Sequence, residues 1–423
     1  MSRTLITNAR LLCPAAGLDE PGSLLIENGE IAAIGDVSGA AETTIDAQGL
    51  CLAPGLIDLR VKTGEPGAEQ RETLETASRA AVSGGVTTMV VMPDTNPVID
   101  DVALVQFIAN RGRETSKTRV YPAAALTMGL KGEAMSEIGL MQGSGAVFFT
   151  NGDWPVADTS VLRRTMAYAA SCDVMVASRA DTHALSARGV MNSGARAARM
   201  GLTGLPREAE WIGLARDLLL AEATGCRLLV DQVSTGRSLD MIRDARERGV
   251  EVYVSVAAHH LFFNETDVGD YLTYCKVNPP FRSEEDRQAL IEGLAAGEID
   301  AVVSAHDPQP PEEKRLPFGE AAFGAAGLET VLSALLALVQ DERLGLLDAL
   351  RSVTAAPASL IGVPQGRLAA GLPADLILFD PEKPWFCERE NLLSRSVNSP
   401  FDGRRMVGRV MHTLVGGETV FQR

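Results

Sequence analysis

Short apolar runs alternate with longer segments of helical spacing through the middle of the chain. Eight such runs stand near residues 56–61, 87–92, 119–125, 146–150, 173–178, 227–232, 250–256 and 299–304, and each predicts a strand. The intervening segments read as helices, among them Glu72 to Ser83 closed by Gly84-Gly85 and Arg207 to Thr224 closed by Gly225. Glycine just past the last helical residue is the usual stop signal. A repeated βα unit implies a parallel sheet, and eight units favour closure into a (β/α)8 TIM barrel. Functional groups of such a barrel sit at the C-terminal ends of the strands.

The two ends of the chain are patterned differently. Residues 1–52 and 366–423 carry short or alternating apolar runs such as Leu24-Leu25-Ile26 and Leu376-Ile377-Leu378-Phe379, with turn signals at Asn28-Gly29 and Gly416-Gly417. These pieces predict one composite small β-sandwich domain beside a barrel spanning 53–365.

Composition narrows the partners. Of 423 residues, 46% are hydrophobic, enough for a full core. The net charge of −16 repels phosphate backbones and anionic lipid, which argues against nucleic acid and membrane partners. No apolar stretch approaches a spanning length and no signal pattern opens the chain, so a cytoplasmic location is expected. The six cysteines form no C-x-x-C pair, and Cys172 and Cys226 read as packing residues. Only five histidines are present, few for a hydrolytic metal site.

The run Ala53-Pro54-Gly55-Leu56-Ile57-Asp58-Leu59 resembles the first barrel strand of the amidohydrolase superfamily. Glu65-Pro66-Gly67, Gly84-Gly85-Val86-Thr87-Thr88, Met92-Pro93-Asp94-Thr95-Asn96-Pro97, Lys276-Val277-Asn278-Pro279-Pro280 and Gly327-Leu328-Glu329-Thr330 are similar to dihydroorotase segments, in the same order. The resemblance implies reversible ring closure of carbamoyl aspartate by a zinc-bound hydroxide. Lowering a water's pKa from about 15.7 to about 7 is worth on the order of 12 kcal/mol, so that chemistry depends on its metal.

The positions that the resemblance assigns to metal ligands hold other residues. Its His-x-His after the first strand is Arg60 and Lys62, and neither cation is a plausible ligand. A carboxylate after the fourth strand is replaced by Asn151 and Gly152, with Asp153 displaced beyond them. The fifth-strand histidine aligns with Ser178, the sixth-strand histidine with Gln232, and the final aspartate with Ala305. Among substrate contacts, an arginine becomes Gly64, an asparagine becomes Asp94 and a histidine becomes Gln309, while Asn278 persists.

Arg60 and Lys62 are expected to replace the metals' positive charge by pairing with Asp58, Asp153 or Asp307, the alternative being a new anion site. His259-His260 and His306-Asp307 are expected to be packing and hydrogen-bonding groups rather than a regrouped metal or acid–base site. These vestigial positions imply no catalytic residue and no zinc. The reading is a pseudoenzyme: a structural or regulatory subunit in pyrimidine biosynthesis. The resemblance implies a hetero-oligomer with aspartate carbamoyltransferase, about six copies of each. The alternatives are a cyclic amidohydrolase with a non-standard site, and a metabolite-binding module using the old pocket.

Overall fold

A computed structural model describes residues 3–423. Five strands open the chain: β1 (Arg3–Cys13), β2 (Leu18–Glu27), β3 (Glu30–Gly35), β4 (Thr43–Asp46) and β5 (Cys51–Pro54). The barrel follows with β6 (Leu56–Val61), β7 (Val86–Val91), β8 (Arg119–Pro122), β9 (Ala124–Ala125), β10 (Phe149–Thr150) and β11 (Val176–Ser178). A small parallel pair, β12 (Met191–Asn192) and β13 (Gly204–Leu205), interrupts it before β14 (Leu228–Val230), β15 (Val252–Ala257) and β16 (Ala301–Val303). The chain ends with β17 (Leu376–Cys387), β18 (Arg404–Val415) and β19 (Glu418–Gln422).

All barrel pairings are parallel and sequential. Strands β8 and β9 are two halves of one staggered staple, since Ala123 N–H bonds back to Val91 while Ala124 N–H bonds forward to Phe148. A parallel bridge between Val61 and His306 closes the ring between β6 and β16. Ile57, Leu59, Val90, Phe148, Met175, Leu229 and Val303 fill the interior, so the barrel is a packed core and not a pore.

Helices cover the outside, the main ones being α1 (Leu74–Ser83), α2 (Val102–Thr115), α3 (Thr159–Ser171), α4 (Arg207–Thr224), α5 (Gly236–Glu247), α6 (Glu284–Ala295) and α7 (Val331–Gln340). Thr73 caps α1 through the Thr76 N–H, and Leu74, Ala77, Ala80 and Ala81 form its buried stripe. Gly225 ends α4 at φ 67°, in the left-handed region where a Cβ is costly.

The strands of the two chain ends form one eight-stranded sheet, so the expected sandwich is a continuous sheet wrapped on its own core. Ile6, Leu11, Leu24, Ile26, Leu52, Leu376, Leu378 and Leu414 build that core on one face. Their neighbours Leu12, Cys51, Ala53, Ile377, Phe379 and Val410 join the barrel core from the other. Strand alternation thus welds the sheet to the barrel. Its edge runs slightly past residue 52, because Ala53 and Pro54 pair with Ile377 and Leu376. No helix among the described residues is long and apolar enough to cross a membrane.

Candidate functional site: an ion network at the barrel mouth

Alternate residues of an extended strand share a face, and Arg60 and Lys62 at the end of β6 both reach the barrel mouth. Arg60 Nη2 lies 2.6 Å from Asp153 and Nη1 pairs with Asp231, whose other oxygen accepts from Ser255 Oγ at 2.8 Å. Lys62 Nζ pairs with Asp153, with Asp94 at 2.9 Å and with Asp307 at 3.2 Å. Arg179 adds a third cation, 3.0 Å from Asp153, and also donates to Asn278. Gln232, with its carboxamide oxygen turned inward, accepts from Arg60 Nη2 at 3.1 Å.

Three cations therefore share four carboxylates in a nearly closed space. Burial opposes the Arg60 charge, yet Asp231 and Asp153 hold its pKa above the ordinary value. Burial likewise opposes the Lys62 charge and is outweighed by Asp153, Asp307 and Asp94, which raise its pKa. Asp153 sits at the centre: burial pushes it up, but Lys62, Arg60 and Arg179 pull it well below the carboxylate range. Asp307 moves the other way, raised by burial and by the neighbouring Asp153 and Asp94 against the pull of Lys62.

Two expectations are corrected here. Asp58 does not pair with Arg60 or Lys62; it accepts the backbone N–H groups of Arg60 (3.0 Å) and Ser304 (3.2 Å) beneath them, and burial pushes its pKa up to about 6. The inward residue of the fifth strand is Arg179, not Ser178. Ser178 turns outward to Asp217 on α4 at 2.6 Å, because consecutive strand residues face opposite sides and a one-residue slip reverses them. Asp231 is not singled out by the sequence, because its neighbour Gln232 holds the aligned histidine position, and only the folded barrel brings Asp231 to Arg60.

The remaining positions are placed as follows. Asn151 leaves the mouth and braces the adjoining loop, bonding to Thr127 and to the carbonyls of Leu130 and Trp154. Asp94 and Asn278 do reach the mouth, but their oxygens are engaged by Lys62 and Arg179. Ala305 lines the cavity with no polar side chain, yet keeps φ 49°, while Gln232 keeps φ 57°. Gln309 Nε2 donates to Asp307 at 2.8 Å. His306 Nδ1 accepts from Gly327 N–H at 3.3 Å, which leaves its Nε2 proton facing Glu72 at 3.4 Å. Burial would raise the Glu72 pKa, and His306, Ser394 and Thr76 together bring it below the ordinary value.

His259 and His260 meet Phe281 edge to face, each at 5.5 Å between ring centroids, and burial pushes both below the usual imidazole range, His260 to about 3. Cys226 is driven by burial up to about 12 and is no thiolate at neutral pH. What remains open at the mouth is a cavity of about 30 Å³, room for about two water molecules. Small-molecule sites are usually about 300–1,000 Å³.

A sequential parallel barrel with a strand-rich domain from both chain ends, and strand-end residues converging on its mouth, defines an amidohydrolase-type protein. A family model described as dihydro-orotase-like matches residues 49–238. The dihydroorotase of Syntrophotalea carbinolica is 40% identical over 421 residues, covering 99% of each chain, and that of Pelobacter propionicus is 39% identical over the same share. The solved L-hydantoinase (dihydropyrimidinase) of Arthrobacter aurescens superposes with a TM-score of 0.91 at 28% identity, over 100% of this chain and 96% of that one. The chain belongs to the dihydroorotase-like family of the amidohydrolase superfamily.

Proposed function

We propose that this protein is a non-catalytic dihydroorotase-like subunit in pyrimidine biosynthesis, and that it assembles with aspartate carbamoyltransferase. The observation that carries the first half is the occupation of the mouth by Arg60, Lys62 and Arg179, each matched to carboxylates around a cavity of about 30 Å³. The donor set does not fit zinc. Arginine and ammonium nitrogens offer protons and no lone pair, Ala305 offers no ligand atom, and the carboxylates are already neutralised by side chains.

The partnership rests on the family resemblance, which associates degenerate chains of this kind with aspartate carbamoyltransferase. A second reading, an active cyclic amidohydrolase, is favoured by one observation: relatives about 40% identical along the whole chain carry the name dihydroorotase. A metabolite-binding module is disfavoured, since an anion entering the mouth would meet four carboxylates.

Elemental analysis and a dihydroorotase assay, before and after mixing with the cognate aspartate carbamoyltransferase, separate the readings. The non-catalytic subunit contains less than about a tenth of an equivalent of zinc, turns nothing over in either state, and sediments with the transferase as one species. Stoichiometric zinc with turnover would establish the enzyme instead.

A further inference from the structure

The barrel's outer wall carries a groove that the mouth does not explain. It lies between α5 and α6, is closed at one end by the start of α4, and has a volume of about 580 Å³. Small residues make its floor, because the helices nearly touch there: a Cβ on Gly236 would come 2.7 Å from Ala289, and one on Gly293 would come 2.5 Å from Leu239. On the outer face of α4, next to the groove-lining Trp211 in sequence but outside the lining itself, Ile212 is 53% and Leu219 62% exposed, two turns apart.

Some charges along the groove are already used. Arg207 pairs with Asp286 at 3.2 Å, and Arg243 pairs with Glu298 at 2.8 Å and Asp240 at 2.9 Å. Among the described residues, Glu285 and Glu292 on α6 form no ion pair within the chain. They stand seven residues apart, about 10 Å along the helix. Arg237 on the facing wall lies over the Trp211 ring at 4.6 Å without a carboxylate partner.

We propose that this groove docks a basic, aliphatic segment of the protein with which the chain assembles, its apolar side chains covering Ile212 and Leu219 and two cationic side chains meeting Glu285 and Glu292. The inference rests on the assembly reading above. Charge complementarity selects the occupant: a second copy of this chain, at −16, brings the wrong sign. Spacing selects its kind, since two unpaired carboxylates about 10 Å apart along α6 call for two cationic groups at that separation, as an extended basic segment carries them.

The test uses full-length chain and the cognate aspartate carbamoyltransferase as the probe, with the Kd measured by sedimentation for wild type, E285K/E292K and I212D/L219D. All four changes fall on the outer helices, and equal thermal midpoints show that the fold is kept. The groove predicts about a tenfold or greater loss of affinity for each double variant, with the wild-type Kd weakening as salt rises. Wild-type affinity in both variants overturns the groove and leaves the assembly reading standing. No complex with wild type overturns both. A chain that dimerises alone, and loses the dimer in either variant, assigns the face to a second copy and overturns the basic partner.

Discussion

Asp153 is the residue on which the mouth turns, because it touches Arg60, Lys62 and Arg179 at once. Asp153→Asn should cost roughly 3–5 kcal/mol in urea unfolding, the range for stranding a buried charge. Its depressed pKa means that its contribution is present above the ordinary carboxylate value and is lost as pH falls through the folded one. Asp58 has the opposite sign. Its folded pKa of about 6 exceeds the ordinary value of 3.8, so the folded state keeps a proton that the unfolded chain releases, and stability falls as pH rises from about 4 to about 6. Asp58→Asn should remove that slope, on the order of 3 kcal/mol across the window, measured by unfolding at each pH. Ala305→Asp would add a fifth carboxylate with no further cation; an expected loss of about 2–4 kcal/mol at pH 7, not recovered by added zinc, is readable as a thermal shift. Much of this site was legible in the chain: the exchange of ligand residues for Arg60, Lys62 and Ala305 is visible in order along it. Arg179 and Asp231 were not, since a one-residue register and a pairing 171 positions apart are settled only by the closed sheet.

At the scale of elements, the segment after β16 is tied to the one after β15 by two buried amines. Lys314 Nζ reaches the carbonyls of Ala322 (2.7 Å), Thr273 (3.2 Å) and Lys276 (3.3 Å). Lys276 Nζ bonds to Gly319 O at 3.0 Å and lies 4.7 Å from the Phe323 ring. Burial pushes Lys314 down to about 7 and Lys276 to about 8. A lowered amine pKa means the unfolded chain holds the extra proton, so stability should rise with pH between about 7 and 10.5, the ordinary value of an amine. Lys314→Met should reduce that rise to the part that Lys276 supplies, read by unfolding at pH 7 and pH 10. The strands and helices themselves were legible because apolar spacing and glycine stops are local. The wrapping of the end strands into one sheet was not, because β1 lies between β2, β4 and β5, and β5 pairs across the chain with β17.

For the whole molecule, the ion network braces strand ends from β6, β11 and β14 together with the loops after β7, β10 and β16. A chelator should therefore leave the thermal midpoint within about 1 °C, where a metal-braced barrel would lose the binding free energy of its ion. The left-handed backbone at Gln232 and Ala305 has a consequence for how this chain can change. Both residues stand at strand ends that line the mouth, against the ion network whose members depend on one another. Removing any one of Arg60, Lys62 or Arg179 strands carboxylates, and restoring Asp at 305 crowds them, while exchanging the whole set at once need cost little. Each single exchange therefore costs stability, and the members of the network are held in place as a set.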